Sequence, residues 1–253
     1  MKIVSLIPIA TEIVSSLGLI NNLVGVSHEC DNPPQVINLP KLTKSNIKIK
    51  QSSLNIDKDI KKILNLGLSV YEVNSDLLKQ LNPDFVLTQS QCSVCAVSYD
   101  EVSKCFSKWL GKKPKLIDLK PNNFNDILTD IHRTAEFLDV VEKAESLINE
   151  IKSEILLIKE KLRNENLKKI LCIEWLDPLM VAGNWIPDLL SFSKSQSIIG
   201  KSGKHSSFFK LDDIDENDFD HIIIMPCGYD IYKTKGELEK IDYLFMNRFK
   251  NKK

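Results

Sequence analysis

DVVEKAESLINEIKSEILLIKEKLRNE, running from Asp139 to Glu165, decides the fold. Its apolar residues Val140, Val141, Ala144, Leu147, Ile148, Ile151, Ile155, Ile158 and Leu162 recur every three or four positions, the stripe of one amphipathic helix. Asp139 stands where an N-cap belongs and Glu142 follows three residues on, the spacing of a capping box. No Gly or Pro interrupts the run, so at about 1.5 Å per residue it reaches roughly 40 Å. The heptad register is not sustained, which disfavours a coiled coil. Short β-branched runs alternate with helical patterns on both sides, so the segment divides an α/β chain into lobes of parallel sheet at 1–138 and 167–253, joined by one long helix at 139–166.

Working outward, Lys2 to Ile7 reads as a strand buried on both faces, as in a parallel sheet. Pro8 ends it, Thr11 to Leu17 is a short helix closed by Gly18, and Leu23 to Val26 is a second strand that delivers Ser27, His28, Glu29, Cys30 and Asp31. Leu42 to Ser52 is polar and patternless, a loop. Leu54, Ile56, Ile60, Ile63 and Leu64 form a helical face ended by Gly67. Ser69 to Val73 is extended and carries Tyr71, and Ser75 to Leu81 is a helix with Asp76 in its first turn. Asp84 to Thr88 is a buried strand emptying into Gln89 to Cys95. A helix from Tyr99 to Leu110 and a strand from Lys115 to Leu119 follow, and Asn123 or Asn125 starts the next helix.

The second half repeats this grammar. Lys169 to Ile173 mirrors Lys2 to Leu6, and Asp220 to Cys227 mirrors Asp84 to Cys92, each with a cysteine just past the strand. The repeat predicts a final helix from Gly236 to Phe249 with no strand after it, hence an unpaired sheet edge near Met225 and a weaker second lobe.

A chain of 253 residues, 43 % hydrophobic, can bury one large core or two modest ones. Its 34 basic residues balance 34 acidic ones, and without a basic block nothing favours capture of nucleic acid. Met1 and Lys2 lead straight into a short apolar strand, not a signal peptide, and no run approaches a membrane span. A cytoplasmic monomer is expected, with its six cysteines as reduced thiols or ligands.

Ligands of open α/β sheets collect at the carboxyl ends of the strands. In the first lobe those ends carry His28, Glu29, Cys30, Gln91, Cys92 and Cys95, and in the second Glu174, Trp175, Asp177, Trp185, Cys227, Tyr229 and Asp230. A cleft between the lobes would have Trp175, Trp185 and Tyr229 as apolar walls. Cys105 and Cys172 read as core residues, and His132 and His221 as structural or surface residues. Cys30, Cys92, Cys95 and Cys227 read equally as core residues or as ligands. Cys92 and Cys95 make half a tetrahedral zinc site, which His28, Cys30 or Cys227 would complete. No phosphate-cradling Gly-rich loop and no nucleophile elbow is present, so catalysis has little to stand on.

Ser5 to Glu12 and Val24 to Pro34 together resemble a known family, the cobalamin-binding, helical-backbone class of ABC-importer substrate-binding proteins. Gln91 to Ser98, Glu174 to Pro178, Gly183 to Pro187 and Met225 to Asp230 resemble its cysteine-bearing branch. The resemblance implies two Rossmann-like lobes and non-catalytic binding of cobalamin, another corrinoid or a related metal chelate between them. It matches the family's aromatic walls to Trp175 and Phe208. It also matches Asp76 and Asp212 to the acidic residues that dock on arginines of an ABC permease. Two other readings stay open: a cytosolic protein binding a zinc or iron ion through His28 and the strand-end thiols, and a thiol-dependent enzyme acting on a corrinoid through Cys92 or Cys95.

Overall fold

In the computed structural model, which describes residues 1–47, 51–66, 68–91, 97, 99–106 and 113–240, the N-terminal apolar run forms β1 (Ile3–Ser5), with all three residues buried. Pro8 opens α1 (Pro8–Ser16) rather than merely ending the strand, its fixed φ and missing N–H suiting the first helical position. Gly18, at φ 73°, closes α1 by donating to Ser15 O while Leu19 donates to Val14 O, a Schellman pattern. β2 (Leu23–Val26) then returns parallel to β1.

The chain packs as two compact units, one of Met1–Ile49, Asp59–Lys120 and Ile127–Asn149, the other of Lys50–Lys58, Pro121–Asp126 and Glu150–Lys253. The first unit continues with β3 (Thr43–Ser45), most of α2 (Ser53–Asn65), β4 (Tyr71–Val73), α3 (Ser75–Leu81), β5 (Phe85–Gln89), α4 (Tyr99–Phe106), β6 (Lys115–Leu119) and most of α5 (Phe124–Leu138). Its main sheet has the order β2-β1-β5-β6 and is parallel throughout. Val4, Leu6, Leu42, Leu78, Val86, Val97, Val102 and Phe106 bury one face of it. The carboxyl ends of all four strands therefore lie along one edge.

α6 (Val141–Lys161) starts in the first unit and ends in the second. The second unit holds β7 (Lys168–Leu176), β8 (Leu179–Val181), α7 (Ile186–Phe192), β9 (Ser195–Ser197), β10 (Ser207–Phe208), β11 (His221–Ile224) and α8 (Ile231–Leu238). β7 is central, parallel to β11 on one side and paired on the other with antiparallel β8 and, nearer its start, parallel β9. β10 adds antiparallel to β8, so this sheet is mixed rather than wholly parallel. Leu171, Ile173, Leu176, Val181, Ile214 and Phe219 form its larger core.

The internal repeat reaches atomic detail. Lys2 N donates to Asp84 Oδ2 at 2.9 Å and Asp84 N to Lys2 O at 2.8 Å. Lys169 N donates to Asp220 Oδ2 at 2.8 Å and Asp220 N to Lys169 O at 2.8 Å. In both sheets one aspartate locks the start of the central strand to its neighbour.

Four expectations are corrected. Asp139 caps nothing on α6: at φ 58° it ends α5, and the helix begins two residues later. The α6 stripe is a half-buried surface face, with Ala144 fully inside but Ile158 43 % exposed. The expected loop after Leu42 holds β3, because pairing with β4 supplies the hydrogen bonds its polar residues could not signal. Among the described residues the helix that includes Gly236 starts earlier, at Ile231, where Asp230 accepts from Lys233 N at 2.6 Å, and the rest of the expected Gly236–Phe249 helix lies outside them. Residues 241–253, on which the missing-strand expectation rests, lie outside the described residues. Among the described residues no helix is long and apolar enough to cross a membrane.

Candidate functional site

At the carboxyl edge of the first unit, β2 hands over to Ser27 and His28. β3 lies close enough for the buried Thr43 hydroxyl to hold both: Ser27 Oγ is 2.9 Å from Thr43 Oγ1, and His28 N donates to it at 3.0 Å. His28 Nδ1 lies 2.7 Å from the same oxygen. The other ring nitrogen, Nε2, is buried and has no hydrogen-bond partner, while Glu29 Oε1 stands 3.8 Å away. Tyr71, brought in by β4, donates to that Glu29 oxygen at 3.3 Å and tilts its ring against His28 with centroids 5.6 Å apart. Burial, then the Lys41 ammonium, pushes the His28 imidazole below its ordinary value and keeps it neutral near pH 7. Burial raises the Glu29 carboxyl, against the opposing Tyr71 hydrogen bond.

Cys30 turns the other way. It is 2 % exposed, with its Sγ 3.1 Å from the Thr11 hydroxyl and its carbonyl accepting from Lys41 Nζ at 2.8 Å. Burial lifts its thiol above the ordinary range. The strand-end position that suggested a ligand instead tucks this side chain under α1. Gln91 is half-buried two residues beyond β5. Cys92 and Cys95 lie outside the described residues. Among the described residues no three His, Cys, Asp or Glu side chains group so as to hold a metal ion, so the expected thiol cluster is not formed by them.

In the second unit, Trp175 near the end of β7 and Tyr229 beyond β11 meet edge to face, with centroids 5.3 Å apart. Trp175 Nε1 donates to Asp177 O at 3.1 Å, which orients the indole. Lys233, one helical turn after Tyr229, places its ammonium 3.6 Å from the Tyr229 ring centroid. The Tyr229 hydroxyl is buried without a hydrogen-bond partner, and burial, then Glu237, pushes its pKa up to about 12. Cys227 is exposed beside this pair, its N–H donating to Glu174 O at 3.3 Å. The Glu174 carboxylate accepts from Ser206 Oγ at 2.7 Å.

Trp185 is the N-cap residue of α7: β8 runs antiparallel to β7, so the residues after Val181 leave the sheet beside Ile173 and not beside Leu176. Phe208 lies on β10 opposite Met180 and is 55 % exposed. Asp76 is exposed in the first turn of α3, whose cap Asn74 accepts from Leu77 N at 3.0 Å. Asp212 is exposed in a short 3-10 turn, Leu211–Asp213. The sequence reading missed Thr43 and Tyr71 as partners of His28, and Lys233 as a partner of Tyr229. The i, i+4 spacing of Tyr229 and Lys233 was a visible signal, whereas the β3–β4 pairing that gathers the first group was not.

Solved structures that share the fold include the following three. The periplasmic vitamin B12 binding protein BtuF of Vibrio cholerae is 16 % identical with a TM-score of 0.62, over 88 % of this chain and 75 % of that one. A periplasmic heme binding protein of Pseudomonas aeruginosa is 13 % identical with a TM-score of 0.70, over 98 % and 80 %. A possible iron-binding, periplasmic solute-binding protein of Staphylococcus epidermidis is 18 % identical with a TM-score of 0.68, over 99 % and 86 %. No curated protein sequence matches the chain. The family model described as periplasmic binding protein matches residues 3–243, nearly the whole length, and the chain belongs to that family of non-catalytic solute-binding proteins.

Proposed function

We propose that the protein is the solute-binding component of an ABC-type uptake system and that its solute is a planar metal chelate, a corrinoid or a heme. The Trp175–Tyr229 pair carries the reading. Two aromatic rings set edge to face at the ends of β7 and β11, the indole fixed by Asp177 O, offer a rigid apolar wall of the kind a flat macrocycle stacks on. The relatives named for vitamin B12 and heme support that ligand class. Phe208, exposed on β10, is a further apolar contact. Exposed Asp76 and Asp212 are the proposed points of attachment to arginines of a permease.

The test is titration of the purified chain with aquocobalamin, cobinamide and hemin, followed by visible absorption and by quenching of tryptophan fluorescence. One of the three should bind with a defined endpoint. Trp175→Ala should weaken that binding by about 30-fold, the loss of a stacked anchor of about 2 kcal/mol. Equal affinity in Trp175→Ala, or no binding of any of the three, would reject the reading.

A further inference from the structure

We propose that the first unit carries a site of its own for a first-row transition-metal cation, held by His28 Nε2, Glu29 Oε1 and the Tyr71 phenol oxygen. It does not rest on the planar-chelate reading, whose carrying residues belong to the second unit.

The first observation is the unpartnered nitrogen. Nε2 of His28 is closed off from solvent and makes no hydrogen bond, although a buried polar atom left unpaired carries an uncompensated desolvation cost. A cation with a vacant coordination position is the partner that a bare imidazole lone pair fits best.

The second observation is the spacing of donors. In a tetrahedral site with bonds of about 2.0–2.1 Å, neighbouring donor atoms stand about 3.4 Å apart. Glu29 Oε1 lies 3.8 Å from His28 Nε2 and 3.3 Å from Tyr71 Oη. Both distances lie close to that edge length. Only two of the three donors are His or Glu. The phenol supplies the third, and water or an oxygen of a bound chelator takes the fourth position.

The third observation is the shell behind the ring. Metal-bound histidines characteristically donate their other N–H to an oxygen that sets tautomer and orientation. Nδ1 of His28 has that oxygen in Thr43 Oγ1 at 2.7 Å, and Thr43 is itself held by Ser27 and the His28 amide. The metal-bound form takes the tautomer in which Nδ1–H donates to Thr43 and Nε2 keeps its lone pair.

The Lys41 ammonium, anchored on the carbonyls of Cys30 and Val36, opposes a second cation nearby. Two changes offset it. The Glu29 carboxylate faces the metal, and the phenol proton that Tyr71 donates to Glu29 in the metal-free chain is released to solvent, so that a phenolate–metal bond replaces an O–H bond. Binding therefore liberates a proton and tightens with pH.

The full chain titrated with zinc chloride in a calorimeter, and with cobalt(II) chloride in a visible spectrophotometer, tests the site. One ion should bind, with cobalt d–d absorption and no thiolate-to-cobalt charge-transfer band. His28→Gln and Tyr71→Phe should each weaken zinc at least ten-fold. Thr43→Val should do so by a factor within the 10–100-fold range of second-shell changes. Tyr71→Phe keeps the ring and decides the matter if His28→Gln fails to fold. Unchanged zinc affinity in Tyr71→Phe, a thiolate signature, or no ion bound would overturn the proposal. Any of these leaves the chelate reading standing, just as failure of the three chelates leaves this one.

Discussion

At the scale of single residues, Tyr229 and Cys30 show how a position at a strand end can mean opposite things. The Tyr229 hydroxyl is buried without a partner, so its removal sacrifices no hydrogen bond, while the ring contacts with Trp175 and Lys233 survive in phenylalanine. Tyr229→Phe should leave the melting temperature unchanged or raise it, a gain of up to about 1 kcal/mol. A loss above that size in thermal unfolding would mean that the hydroxyl is paired. Cys30 is packed against Thr11 with a raised thiol pKa, and burial lifts the Cys172 thiol to about 11, whereas Cys227 is exposed. Iodoacetamide at neutral pH should therefore label Cys227 in the folded chain and leave Cys30 and Cys172 untouched until unfolding, as peptide mass mapping will read. The sequence marked all three cysteines but could not say which way two of them point. One residue of rotation along a strand exchanges interior for edge, and that rotation is set by partners far away in the chain.

At the scale of elements, α2 and α8 are joined by a buried carboxylate. Ser53 N, in the first turn of α2, donates to Glu237 Oε2 at 2.7 Å, and Lys240 donates to Oε1 at 3.1 Å. Burial alone would raise the Glu237 carboxyl, but these bonds outweigh it and hold the group below its ordinary range. A depressed folded value stabilises above the unfolded value and is lost as pH falls through the folded one, so stability should decline below the usual carboxylate range. Glu237→Gln should cost about 1–2 kcal/mol at pH 7 in urea unfolding and flatten the acid limb. An identical pH profile would show that the tie contributes nothing. A second element-scale test lies at Gly183, where an added Cβ would meet Lys204 O at 2.3 Å and the backbone of His205 and Ser206 at 2.8 Å. Gly183→Ala should push that loop away and destabilise by about 1–3 kcal/mol. The strong periodic elements were legible because their patterns are local. The pairings β3–β4 and β8–β10 were not, since segments as short as Thr43–Ser45 and Ser207–Phe208 become strands only when a distant partner supplies the ladder.

At the scale of the whole molecule, the internal repeat was the most legible feature, and its two copies differ where stability should differ. Lys2–Asp84 and Lys169–Asp220 lock the two central strands alike, because the lock needs only an aspartate before one strand opposite the backbone of a lysine at the start of the other. Beyond the locks the sheets diverge. β1 lies between β2 and β5, and Ile3, Val4, Val86 and Leu87 are buried. β11 pairs with β7 alone among the described residues, and Ile223 on it is 41 % exposed. A strand paired on one side with a half-open face has less apolar burial to lose when it opens, so local opening there should require less free energy than global unfolding. Hydrogen exchange should accordingly find the amides of Ile222 to Ile224 less protected than those of Val4, Val86 and Leu87, with the gap widening in low urea as the second unit opens first. Equal protection of β11 and β5 would show that something in the folded chain covers the β11 edge as fully as β1 and β6 cover β5, and the two copies of the repeat would then be equally stable halves.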